Sequence, residues 1–138
     1  MADGEREALY QKIQSRLQSG YGLSGFSVTK GYQRWARANT APYRSATHGR
    51  RFVNNFVNAK AKSYLRYEKF GTLPVGAVIA KDSFVVAKDG SLMPGPLFIM
   101  EKMEKGFSYV SGDWRYSMIM PDGSFFGETN GENADRVE

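Results

Sequence analysis

The spacing of hydrophobic positions changes along this chain, and the change divides it. Leu9, Ile13 and Leu17 recur every four positions with Tyr10 beside them, which predicts an amphipathic helix over residues 5–18. Glu5 and Glu7 sit early and Arg16 late, as the helix dipole favours, and Gly20 and Gly22 are expected to end it. Between residues 81 and 123 the period is different. Apolar or aromatic runs at 84–87, 97–100 and 114–120 alternate with turn residues, the pattern of successive antiparallel strands. Asp89-Gly90 and Asp122-Gly123 supply the positive-φ glycine that a tight reversal needs. In the last run Trp114, Tyr116, Met118 and Met120 alternate onto one side, and Phe125-Phe126 begins a return strand.

The segments between are mixed. Tyr32 and Trp35 are spaced to share one face of a short helix, Pro42 blocks continuation, and residues 45–49, which include the single His48, read as a loop. Residues 51–58 predict a strand with Phe52, Asn54, Phe56 and Asn58 on one face and Val53, Asn55 and Val57 on the other; neither face is uniformly apolar, so a helix stays open. Residues 59–69 predict a second amphipathic helix, with Ala61, Tyr64 and Leu65 inward and Lys60, Lys62, Arg66 and Lys69 outward. Pro74 and Gly76 then turn the chain into an apolar strand at 77–80 that runs straight into Lys81. A lysine there reaches solvent by its long stem or is held against something. After Gly131 the chain is polar and acidic and is not expected to fold alone. Together these predict one α+β domain over residues 1–138, an antiparallel β-sheet with flanking helices.

Composition narrows the function. Hydrophobic content of 41% and charged content of 24% are those of a globular domain, and aromatic content of 14% suits a sheet-rich core or a pocket for a flat apolar ligand. The formal charge of +5 is concentrated between Lys30 and Lys69, where ten basic residues face only Glu68. That basic middle is a solvated surface or an attraction for an anionic partner such as heme propionates; no nucleic-acid-binding signature accompanies it. Cysteine is absent and His48 is the only histidine, too little for a dedicated zinc site. The first seven residues are charged where a signal peptide is apolar, and no run approaches the roughly 20 apolar residues of a membrane span.

One ordered set of short motifs carries a resemblance. Pro42-Tyr-x-Ser-x-x-His48-Gly, Phe52-Val-Asn-Asn-Phe-Val-Asn58, Pro74-Val-Gly-Ala-Val-Ile-Ala-Lys81, Gly95-Pro-Leu-Phe-Ile-Met-Glu-Lys102, Gly112-Asp-Trp-Arg-Tyr116 and Pro121-Asp-Gly123 follow one another across residues 32–131. In order and spacing the chain resembles the cytochrome P-460 and cytochrome c′-beta family. The resemblance implies a periplasmic heme c protein, commonly a homodimer, that binds nitric oxide or a similar small nitrogen-oxide ligand and exchanges electrons with a redox partner protein. A subset of that family oxidises hydroxylamine and joins a lysine to the porphyrin; Lys81 stands at that lysine's position.

The resemblance also implies a Cys-x-x-Cys-His motif, with its proximal histidine, just after the region matching residues 131–138. Its absence predicts either a chain cut before the heme motif, the favoured expectation, or a heme-free relative that keeps the sheet as a binding module. Phe52 and Phe56 are the candidate distal-pocket aromatics, with Arg51 or Arg50 as donors to a bound ligand or to propionates. His48 is a further, weaker candidate iron ligand. No catalytic residue is assigned.

Overall fold

The computed structural model describes residues 1–45, 51–62, 73–131 and 133–137. A 20-residue helix, α1 (Asp3–Gly22), is followed by two short 3-10 helices (Ser27–Lys30 and Tyr32–Arg34) and then by the sheet. The strands are β1 (Ala36–Arg37), β2 (Tyr43–Arg44), β3 (Phe52–Val57), β4 (Val78–Val86), β5 (Leu92–Pro94), β6 (Leu97–Lys102), β7 (Trp114–Ile119) and β8 (Phe125–Glu128). They form one antiparallel sheet in the order β1-β3-β4-β6-β7-β8, with β2 also on β3 and β5 also on β4. The α+β class expected from the sequence is the class observed.

α1 lies on one face of the sheet because its buried residues, Tyr10, Ile13, Leu17 and Tyr21, come at intervals of three and four and so form one stripe. They meet Phe56, Val78, Ala80, Phe84, Leu97, Ile99 and Ile119 in the main core. Each such aliphatic side chain removed from water contributes roughly 1.5–3 kcal/mol, which is what holds a helix that has no side-chain cap at its start. The helix runs through Gly20 and ends at Gly22, the second of the two glycines expected to stop it. Gly20 serves a close approach: a Cβ at that position would run into the carbonyl oxygen of Pro121 in the β7–β8 turn.

Both predicted reversals are present and built alike. Gly90 and Gly123 each have φ of 86°, and Asp89 and Asp122 each accept hydrogen bonds from the backbone N–H and hydroxyl of the serine two residues on. Residues 52–57 are a strand, so the helical alternative for them falls away. Of the predicted helix at 59–69, the described part is a single 3-10 turn, Ala59–Ala61, capped by the Asn58 side chain; residues 63–69 lie outside the described residues. Opposite α1, a smaller cluster of Val57, Ala61, Leu73, Ala77, Ile79 and Trp114 covers one end of the second face.

Candidate functional site

Strand alternation sorts the chemistry of this sheet onto two faces. Register pairs Asn54 with Asp82, and Asn55 with Lys81. Lys81 in turn pairs with Phe98, and Phe98 with Met118. Directly opposed residues share a face. Asn55, Lys81, Phe98 and Met118 therefore form one row across the face away from α1, while Asn54 and Asp82 point toward α1.

The α1 face buries a carboxylate. Asp82 is fully enclosed and accepts hydrogen bonds from the hydroxyls of Tyr10 (2.6 Å) and Tyr32 (2.9 Å) and from Asn54 Nδ2 (3.2 Å). Arg37 lies over the Tyr10 ring at 4.9 Å, donates to Asn54 Oδ1 and pairs with Glu7 at 2.8 and 2.9 Å. Burial raises the Asp82 carboxyl to about 6, against the three hydrogen bonds that pull it down. Burial, reinforced by Asp82, also raises the Tyr10 and Tyr32 hydroxyls well above their ordinary range. Among the described residues, every buried side-chain polar atom of this cluster has a partner. The network ties α1 and the 3-10 segment to β4; its role is structural.

On the opposite face the described residues leave an opening. A cavity of about 450 Å³ opens beside Lys81, with Phe98, Met100, Tyr116 and Met118 as its wall and Arg136 and Val137 at its rim. Lys81 is partly buried, and desolvation lowers its pKa. No carboxylate stands on this face of the described strands: Asp82, Glu101 and Glu128 all occupy α1-facing register positions. Glu101 is paired there with Arg115 at 2.7 Å. Lys81's register partner, Asn55, donates from its backbone N–H to Asn39 Oδ1 at 2.8 Å and through Nδ2 to the Tyr43 hydroxyl at 2.6 Å. Its Oδ1 is buried and has no partner among the described residues. A buried amide oxygen left open costs about 1–3 kcal/mol.

The rim is built by the end of the chain. A 3-10 turn, Ala134–Arg136, lies over Gly127 of β8, where any side chain would meet Asn133, Arg136 and Val137. Arg136 stacks on Phe126 at 5.1 Å and donates to its carbonyl at 3.3 Å. The polar tail thus folds by docking on the sheet. A second cavity of about 390 Å³, at the far end of β6 around Glu101–Lys105 and Phe107, encloses no buried ionisable group. Its Lys102 is committed to the Gly112 carbonyl at 2.9 Å and to the Trp114 ring.

The structure separates the residues that the sequence put together. Lys81 lies at the cavity. Phe52 and Phe56 lie on the other face, within the α1 core: Phe52 stacks on Phe84 at 5.6 Å, and Phe56 meets Tyr32 edge-on at 5.3 Å. The reason is parity, since Lys81 pairs with Asn55 and so excludes Asn55's even-numbered neighbours from its face. Arg51 sits at the start of β3 against Gly95, beside the β5–β6 connection and not in the cavity wall. His48 and Arg50 lie outside the described residues. Sequence reasoning missed Phe98, Asn55 and Arg136; the alternation of Tyr116 and Met118 was visible, but not what they face. Among the described residues no group of three metal-binding side chains converges, and no helix is long and apolar enough to cross a membrane. No protein-family model matches the sequence, and no curated protein matches it.

Proposed function

We propose that the Lys81 face is the binding site of a flat, apolar, anionic cofactor, and that the cofactor is heme, in a protein of the cytochrome P-460 and cytochrome c′-beta type. The observation that carries this reading is the cavity itself: an aromatic and thioether wall, the basic side chains of Lys81 and Arg136, and no opposing carboxylate on this face of the described strands. Phe98, Met100 and Met118 offer contact to a macrocycle, and Arg136 offers charge to its propionates. When bound, heme supplies the electron transfer and small-ligand chemistry. Phe98, Met100 and Met118 would exclude water from the group they contact, Arg136 would pair with its acid groups, and Lys81 would present an amine to it. Lys81 sits where the hydroxylamine-oxidising subset carries its cross-linking lysine, and burial favours the neutral amine that such bonding requires. A nitrogen-oxide ligand, a redox partner, a homodimer and a periplasmic setting belong to this same reading.

A second reading is a heme-free binding module on the same sheet, favoured by the absence of cysteine from these 138 residues. Titration with hemin separates the two. The heme reading expects a one-to-one complex with a shifted Soret band, weakened by Arg136→Gln and by Met118→Glu. A spectrum identical to free hemin at every ratio overturns it and leaves the module.

A further inference from the structure

We propose that Lys81 is a nucleophilic amine, and that the cavity beside it takes a small flat aromatic carbonyl compound bearing an acid group, held as an imine on Lys81 Nζ. This goes beyond the heme reading and does not depend on it, because it concerns what the cavity does with an electrophile offered alone.

Three features of the site converge on it. First, Lys81 has no counter-ion among the described residues. The titratable and charged groups presented toward it are Tyr43 from β2, Tyr116 from β7, Arg136 at the rim and, at the far end of β6, Lys102. None is an anion at neutral pH, so nothing on the described sheet face stabilises the ammonium, and desolvation acts in the same direction. Secondly, Asn55, Lys81's register partner on the same sheet face, carries a buried Oδ1, an acceptor without a partner among the described residues. It suits the N–H of Lys81 or the hydroxyl of the addition intermediate. Thirdly, the wall of Phe98, Tyr116 and Met118 matches a planar ring, while Arg136 at the rim matches a carboxylate on the ring's far side.

The chemistry balances without a redox partner. The lysine ammonium loses a proton to solvent, and the free amine adds to the carbonyl carbon. The carbinolamine takes a proton on its oxygen and expels one water, which leaves a protonated imine. Overall one ammonium and one carbonyl give one iminium and one water.

The test uses the full chain and two probes, 4-formylbenzoate and benzaldehyde, each trapped by cyanoborohydride at pH 7 and mapped by peptide mass spectrometry. The expected result is labelling of Lys81 faster than that of exposed Lys12 and Lys88 by roughly tenfold or more, a margin that chance differences between surface lysines do not reach. The acid-bearing probe is expected to be preferred, and Arg136→Gln to abolish that preference while Lys81 remains reactive toward benzaldehyde. Labelling of Lys81 no faster than Lys88 overturns the nucleophile. Fast labelling with no preference for the acid overturns the ligand class. Either failure leaves hemin binding, read separately by its Soret band, as it was.

Discussion

The two faces of one sheet have opposite characters, though both are written in the same strands. On the α1 side, Asp82 is buried and every one of its neighbours answers it: two tyrosine hydroxyls, an asparagine amide and, behind that amide, Arg37 paired to Glu7. On the other side Lys81, one residue earlier in β4, has no answering charge on the sheet, and its cross-strand neighbour Asn55 keeps an open oxygen. The difference teaches where to look for function. A buried charge whose hydrogen bonds are complete is part of the scaffold; one left incomplete beside a cavity is the place to test for a ligand.

The largest expected effect breaks the scaffold and spares the site. Phe56→Ala removes an aromatic from the α1 core and should lower unfolding stability by about 3–5 kcal/mol in urea titration. Hemin or aldehyde binding by the remaining folded protein should be unchanged, since Phe56 is not on the cavity face. A loss of ligand affinity beyond the loss of folded protein would return Phe56 to the site.

Next comes pH. Asp82 has a folded value of about 6 against an ordinary 3.8, so the folded state holds its proton more tightly than the unfolded state does. The stability from this group is fully present below pH 3.8 and is lost as pH rises through 6. The gap corresponds to roughly 3 kcal/mol. Glu7 acts oppositely: its hydrogen bond and ion pair with Arg37 lower its pKa, so its contribution fades only as pH falls below its ordinary 4.5. Stability should therefore decline between about pH 4.5 and 6, measured by chemical denaturation across that range, and Asp82→Asn should flatten the decline.

Smaller again is Tyr32→Phe, which removes one donor from Asp82 while Tyr10 and Asn54 remain. It should cost about 1–2 kcal/mol and move the pH-dependent decline to higher pH. The smallest effect sharpens the contrast from the cavity side. Lys81→Met removes a charge that desolvation disfavours and keeps the side chain's length. Thermal stability should stay level or rise by up to about 1 kcal/mol. A clear loss would show that the amine has a structural partner.

How much of this was legible beforehand follows from the kind of information each element needs. The helix stripe of Ile13 and Leu17, the Asp-Gly reversals and the strands at residues 84–86, 97–100 and 114–119 rest on local periodicity and turn chemistry, which the chain writes out directly. β1, β2 and β5, of two or three residues each, carry no periodicity to detect and exist because a neighbouring strand offers partners. Lys81 stood out early, as a lysine in an apolar strand. Its companions did not, because face-sharing across strands depends on register, and a slip of one residue exchanges one face for the other. That is how Phe52 and Phe56 came to be expected beside the ligand and were found beneath α1.

The amino-acid sequence alone therefore determined that this chain makes an α+β domain around an antiparallel sheet, and which residues alternate within each strand. Only the tertiary structure decided which alternate set meets α1, that Arg136 returns to the rim over Gly127, and that Asn55 stands beside Lys81. The physical reason is that hydrophobic period and turn propensity act between near neighbours along the chain. Pairing register, burial and unmet hydrogen bonds are settled between residues tens of positions apart.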